Sequence, residues 1–351
     1  MRTKIILTTL ACSFLGLTSA SSNEQSFIAP LVKESLLLGA SIGQHNIIVG
    51  ERGHILVNET PENSSLSSFS QVPSPTKVTL TNVFSIDNVA WAVGHDATII
   101  KSSDAGLTWS VVQSDPDLDR PLLSVYFFDK DEGVAAGAYG LFYRSMDGGI
   151  TWTQERHPGM LSDDDNEYLD SIKEDEAFYL EELSFISPHL NQFSYANNIL
   201  YLAGEAGLVA TSANRGRSWN RSAIDYQGSF FDVGILEGDS SLAVGLRGNM
   251  FVLHDNEPVL IPTCVTTSLN TVITTPTNVF VAGNNGVLLS IDMQNLNSTK
   301  LEASNTEGCQ KHASVSLIST EFSDAILAGI ASNEGLLLVT AGGLKTVSIE
   351  E

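Results

Sequence analysis

The strongest constraint on how this chain folds is one short stretch that it writes seven times. The copies are Val49-Gly50-Glu51-Arg52-Gly53, Val93-Gly94-His95-Asp96-Ala97, Ala136-Gly137-Ala138-Tyr139-Gly140, Ala203-Gly204-Glu205-Ala206-Gly207, Val244-Gly245-Leu246-Arg247-Gly248, Ala282-Gly283-Asn284-Asn285-Gly286 and a worn Ala331-Ser332-Asn333-Glu334-Gly335. Apolar runs flank each one, as Ile47-Ile48-Val49 and Ile55-Leu56-Val57 do in the first. That pattern reads as a hairpin, with a type I turn closed by a left-handed glycine that has no Cβ to clash. The closing positions 53, 97, 140, 207, 248, 286 and 335 are 44, 43, 67, 41, 38 and 49 residues apart. A strand-type repeat of roughly 40–50 residues is the period of a propeller blade.

A second marker precedes each turn, a strand of the form x-Leu-x-x-Val. Its copies start at Ser35, Thr79, Pro121, His189, Ser229, Ser268 and Ser314. The expectation is therefore an all-β chain, a seven-bladed β-propeller of four-stranded antiparallel blades. Each blade has an inner strand A, a B–C hairpin around the glycine turn and an outer strand D. Two blades also carry S-x-D-x-G-x-T-W after strand C, as Ser102 to Trp109 and Ser145 to Trp152, and Ser212 to Trp219 is a worn third copy. This is the Asp-box, or BNR repeat. Asp104 and Asp147 are expected to accept backbone N–H bonds inside the turn, with Trp109, Trp152 and Trp219 packing into the sheet as structural staples.

The long step reflects an insert at 157–188, between blades 3 and 4. It holds ten acids, Asp163, Asp164, Asp165, Glu167, Asp170, Glu174, Asp175, Glu176, Glu181 and Glu182, against Lys173. Ser162 to Asp165 resembles a capping box, and Tyr168, Ile172, Tyr179 and Leu183 recur at helical spacing. One acidic amphipathic helix docked on the propeller is predicted. Asp163, Asp165, Glu167 and Glu174 fit a calcium-loop spacing, but Tyr168 stands where the loop needs glycine. Gly39-Ala40-Ser41-Ile42-Gly43 spells a nucleophile elbow, but a strand follows it rather than a helix.

The ends and composition bound the setting. Met1-Arg2-Thr3-Lys4, an uncharged run from Ile5 to Leu17 and Thr18-Ser19-Ala20 read as a signal peptide over 1–20, cleaved near Ala20, with 21–351 as the propeller. A lipoprotein cut before Cys12 fits less well, with Thr9 three places upstream. The chain is then exported, periplasmic or secreted, with no membrane span in the mature part. A formal charge of −23 argues against nucleic acid as a partner. Cys264 and Cys309, the cysteines left after cleavage, are a disulfide candidate. No metal-ligand spacing, phosphate loop or cofactor motif is present, so no metal and no cofactor is expected.

Strand directions alternate within a blade, so B–C turns and D-to-A connections share one face. The insert is a D-to-A connection and joins the glycine turns there. Loops on a rigid scaffold commonly carry recognition. The binding-face candidates are Glu51, Arg52, His95, Asp96, Tyr139, Glu205, Arg247, Asn284 and Asn285. No residue is assigned as catalytic.

With these motifs in view, the chain resembles the Asp-box propellers of the photosystem II stability/assembly factor-like family, in its exported bacterial members. The resemblance rests on Ile28-Ala29-Pro30-Leu31, Val49 to Leu56, Trp91 to Asp96, Gly137 to Gly140, the acidic insert, His189-Leu190-Asn191 and Ala203 to Gly207. It implies a non-catalytic monomeric scaffold that assembles or stabilises an envelope membrane-protein complex, with an export system among the partners. The competing classes are a sialidase-like glycoside hydrolase, in which Tyr139 and Glu205 would pair, and a carbohydrate-binding propeller.

Overall fold

The computed structural model describes residues 35–349, apart from 62–65, 237, 239, 255–256, 276, 297, 304–307 and 333–334. The segment Phe27 to Val32, a candidate for closing the ring, and the signal peptide lie outside the described residues. Seven antiparallel sheets surround a central channel. Their inner strands are Leu37–Ser41, Leu80–Ile86, Leu122–Phe127, Leu190–Ala196, Phe230–Ile235, Leu269–Thr274 and Ile326–Ser332. Each inner strand packs on the next, and Ile326–Ser332 packs back on Leu37–Ser41, so the ring is closed. Six sheets have four strands, and the seventh has three among the described residues.

Second strands such as Val89–Gly94 and Gly133–Gly137 are buried almost throughout because a neighbouring blade covers each face. The apolar core is accordingly divided by interface. Ile47 and Val49 of blade 1 meet Leu80 and Val83 of blade 2, and corresponding clusters recur around the ring. The circuit ends with Leu37 and Ile48 of blade 1 against Ile330, Leu337 and Val339 of blade 7. Polar clips run beside this core. In three blades the residue after the strand-A leucine donates to the first carbonyl of the next strand A. These clips are Thr81 Oγ1 to Leu122 O at 2.6 Å, Asn191 Nδ2 to Phe230 O at 2.7 Å and Asn270 Nδ2 to Ile326 O at 2.9 Å.

That last clip corrects the seventh repeat. The strand at Val315–Ile318 pairs with Leu288–Ile291 and is the outer strand of blade 6, not the inner strand of blade 7. Blade 7 begins at Ile326, which faces Thr340 as Leu269 faces Gly283. The worn copy Ala331 to Gly335 thus falls where strand A, Ile326–Ser332, gives way to strand B, Gly335–Thr340, and the true B–C turn is Ala341-Gly342 between Gly335–Thr340 and Gly343–Val347. In blade 1 the marker also slips by one residue, since Leu37 rather than Leu36 faces Gly50.

Cys264 and Cys309 are bonded, with Cα atoms 5.9 Å apart. The bond ties the connection into blade 6 to a hairpin of Leu301–Ala303 and Gln310–His312, which is an excursion within blade 6. Where one helix was predicted, the insert forms two, α1 (Asp163–Ile172) and α2 (Glu176–Ile186). Ser162 caps the first by accepting from Asp165 N–H, and Asp175 interrupts the run by capping the second through Phe178 N–H. Their buried seam is Leu161, Leu169 and Leu183, joined by Ile172, Tyr179 and Ile186. Tyr168, expected on the docked stripe, is instead exposed.

Candidate functional site

The glycine turns are tighter than the sequence suggests. In the first, Arg52 and Gly53 are both left-handed, with φ of 55° and 70°, and His54 N–H closes the turn on Glu51 O at 2.9 Å. This is a type I′ turn, not a type I turn ending in a left-handed glycine. Its twist matches that of the strands it joins. Asp96-Ala97, Tyr139-Gly140, Ala206-Gly207, Arg247-Gly248 and Asn285-Gly286 repeat the two positive φ values.

The two glycines of the motif have different tasks. The first lies against the start of strand A, and a Cβ on Gly94 would meet Thr79 O at 2.1 Å. The second locks the turn to the next blade's lead-in, with Gly207 N–H donating to Gly228 O and Gly286 N–H to Asp324 O. Between them, one left-handed residue per turn is left at the tip. Arg52, Tyr139, Arg247 and Asn285 are exposed there and Asp96 is half-buried.

Not all candidates are equally free. Glu51 accepts Leu36 N–H at 3.0 Å, and Glu205 accepts His189 N–H at 3.1 Å, so both carboxylates stitch the turn to its own strand A. Asn284 is held in the same way through Asn270 Nδ2 at 2.8 Å. His95 is exposed and its backbone N–H donates to Thr79 O. Among the described residues, Arg52 pairs with its neighbour Glu51, at 3.8 Å.

Blades 3 and 4 bring the richest group together. The Tyr139 ring meets His189 edge-on at 4.6 Å, and the Arg120 guanidinium lies 5.1 Å from the tyrosine ring centre. His189 Nδ1 is 3.5 Å from Glu205 Oε1, so the imidazole stands between Tyr139 and Glu205. Beneath lies a pocket of about 80 Å³ whose lining includes Arg120, Tyr139, Arg156, His157, Leu180 and Ser184. Burial pulls the His157 pKa down, against the pull of Glu155 at 3.2 Å. Arg221 ties the insert to the turn of blade 4. Its guanidinium donates to Met160 O at 2.7 Å and to Ala206 O. Burial lowers its pKa, opposed by Asp165 and Asp163. Arg120 and His189 were missed in sequence, although both occupy the lead-in just before a strand A, where a side chain can face a neighbouring turn.

The opposite face holds the Asp-boxes. Asp147 accepts Thr151 Oγ1–H at 2.6 Å and Thr151 N–H at 2.9 Å, and these bonds hold its carboxyl down at about 2. Asp104 makes the same pair with Thr108, enough to lower its pKa although desolvation opposes it. Trp109 Nε1 donates to Gly106 O at 2.7 Å. Trp152 and Trp219 pack against Phe127 and Phe193. In the worn copy Asn214 takes the aspartate's place, accepting Ser218 N–H at 2.9 Å.

Near this face three arginines converge, which the turn residues alone did not reveal. Arg144, Arg215 and Arg217 approach the buried Glu132 at 3.1, 2.7 and 2.7 Å. A carboxylate of the protein already occupies this cluster, where a sialidase would need it open for substrate.

The fold and its turns define a BNR-repeat propeller. Residues 37–146, the first two blades and most of the third, match the family model described as photosynthesis system II assembly factor YCF48. The match covers less than half of the chain, and over that part the repeats are similar to those of this family. No curated protein matches the sequence. Among solved structures, the chain is similar to YCF48 bound to D1 peptide, at 12% identity and a TM-score of 0.62, covering 93% of this chain and 97% of that one. YCF48 from Cyanidioschyzon merolae gives 15% identity and 0.62, covering 90% and 95%. The C-terminal WD40 domain of Sif2 gives 8% identity and 0.60, covering 91% and 97%. At these identities the likeness is one of fold.

Proposed function

We propose that this protein is a non-catalytic exported scaffold whose glycine-turn face binds a segment of an envelope membrane protein and helps to assemble or stabilise its complex. The observation that carries the reading is the division of labour in the turns. The glycines and the first-position side chains Glu51, Glu205 and Asn284 fix the frame, while the left-handed tip residue, exposed in every such turn but that of the half-buried Asp96, changes in chemistry around the ring. Such a ring offers a rigid surface with adjustable chemistry. A propeller of similar fold, YCF48, is bound to a D1 peptide, which supports a peptide segment as the ligand class. The Cys264–Cys309 bond fits an oxidising compartment outside the cytoplasm.

The hydrolase reading gains nothing from the geometry. Glu205 turns both carboxylate oxygens to His189, and the three arginines that gather do so around Glu132. The test is crosslinking and co-purification from the native envelope, with wild type and a variant in which a short Gly-Ser linker replaces residues 162–186. Wild type should yield one stable membrane-protein partner, and the variant should stay folded and lose it. Retention of the same partner by the variant would remove the insert from the site. Turnover of chromogenic glycosides that is lost on Tyr139→Phe or Glu205→Gln would replace the scaffold with an enzyme.

A further inference from the structure

The outer side of the insert carries more apolar surface than its own fold requires. On α2, Phe178 and Phe185 are seven residues apart, two turns along one side, or about 10 Å. They are 41% and 67% exposed. Glu181 and Glu182 fall between them on that side. Glu182 accepts a 2.7 Å hydrogen bond from Tyr168 of α1, itself 41% exposed, so three aromatic rings stand among carboxylates on one surface of the hairpin. The inner side is already committed. Leu183 is buried against Leu161 and Leu169, and Leu180 and Ser184 line the pocket beside Tyr139. Charge on the hairpin is one-sided, with ten carboxylates against Lys173, which pairs with Asp170 at 3.3 Å.

We infer that the Phe178–Phe185 stripe docks a cationic amphipathic segment of the partner protein, its apolar side on the two rings and its Lys or Arg side chains against Glu181, Glu182 and the surrounding acids. This rests on the scaffold reading and gives its partner a polarity. Two rings set two turns apart match the i, i+7 spacing at which a helix presents apolar side chains to a groove or a facing helix. The surrounding field selects for positive charge and speeds encounter. It also repels the anionic lipid surface that would otherwise compete for exposed aromatics.

The test uses the full chain and two synthetic 18-residue probes of identical Leu/Lys composition, one patterned as an amphipathic helix and one scrambled, followed by fluorescence anisotropy at two salt concentrations. Wild type should bind the amphipathic probe at least ten-fold more tightly than the scrambled one. F178A/F185A should bring that ratio close to one while leaving the circular-dichroism melt unchanged, since both rings are exposed. E181Q/E182Q should weaken both probes and flatten the salt dependence. Equal binding of the two probes by wild type overturns the inference. So does a preference that survives F178A/F185A, or binding to phosphatidylglycerol vesicles that this variant abolishes. If an envelope partner is captured through the turn face while no probe preference exists, only this inference fails. If no envelope partner is found, the scaffold reading fails whatever the probes show.

Discussion

Glu132→Ala removes the shared centre of the joint between blades 3 and 4. The carboxylate is 6% exposed and accepts from Arg144, Arg215 and Arg217 at 3.1, 2.7 and 2.7 Å. Breaking a buried ion pair by deleting one partner costs about 3–5 kcal/mol, because a charge is left without compensation. Two features reduce that figure here. Arg215 and Arg217 are 40% and 46% exposed, so water rehydrates them and their pairs are weak. Arg144, only 5% exposed, keeps a two-point contact with Glu155 at 2.7 and 3.1 Å and donates to Arg215 O. The expected loss is about 2–3 kcal/mol, which lowers Tm by roughly 4–12 °C at the sensitivity of larger domains. Urea and thermal unfolding of E132A, with exposed Glu59→Ala as a control inside about 0.5 kcal/mol, measure it. A double-mutant cycle with Arg144→Met isolates the buried pair. A loss under about 1 kcal/mol, or a cycle without coupling, would refute the view that this network fastens the two blades.

Four further outcomes follow from substitutions elsewhere in the ring. Gly207 is left-handed at φ 69°, and a Cβ there would sit 1.8 Å from Tyr226 O, so Gly207→Ala should lose about 2 kcal/mol or more. Ala97 already fills the equivalent place at φ 46°, so Ala97→Gly should be close to neutral in the same urea assay. The Cys264–Cys309 bond closes a loop with a sequence separation of 45, and C264S/C309S should cost about 2–4 kcal/mol, reproduced by reductant on wild type. Burial pushes Asp232 up to about 6 from its ordinary 3.8, although it accepts from Val272 N–H, Val233 N–H and Thr271. The native state then holds the proton more tightly than the unfolded chain. This contribution is greatest below pH 3.8 and falls as pH rises to about 6, by at most about 3 kcal/mol, and Asp232→Asn should remove that slope from the pH–stability profile.

The blades were legible in sequence where geometry leaves one residue type free to stand. A left-handed turn pressed on its neighbour favours glycine, so Gly53, Gly207, Gly248 and Gly286, each against a carbonyl, and Gly140, against the Ser187 side chain, announce themselves. Blade 7 was misread because its turn lacks that constraint. Thr340 holds the place of the first glycine, while Gly335 marks a different turn. The hairpin Leu301 to His312 swells blade 6 and pushes its outer strand to where an inner strand was due. The insert's charge was plain, but its break into two helices turns on Asp175, one more acid in an acidic run until its carboxylate is seen to cap Phe178. Of the site, the tip residues were found by topology alone. Arg120 and His189 became visible only when their lead-ins folded beside Tyr139, and Arg144, Arg215 and Arg217 gather only when the worn Asp-box turn of blade 4 folds beside the strand Phe142–Ser145 at Glu132.

Site-specific photo-crosslinking in the native envelope decides whether the glycine-turn face is the binding face. The probe is placed at Arg247 and Asn285 on the turn tips and, in parallel, at Ser103 and Ile150 on the Asp-box face. One discrete membrane-protein adduct is expected from the turn positions and none from the Asp-box positions. Adducts from Ser103 or Ile150 with silence at Arg247 and Asn285 would contradict it.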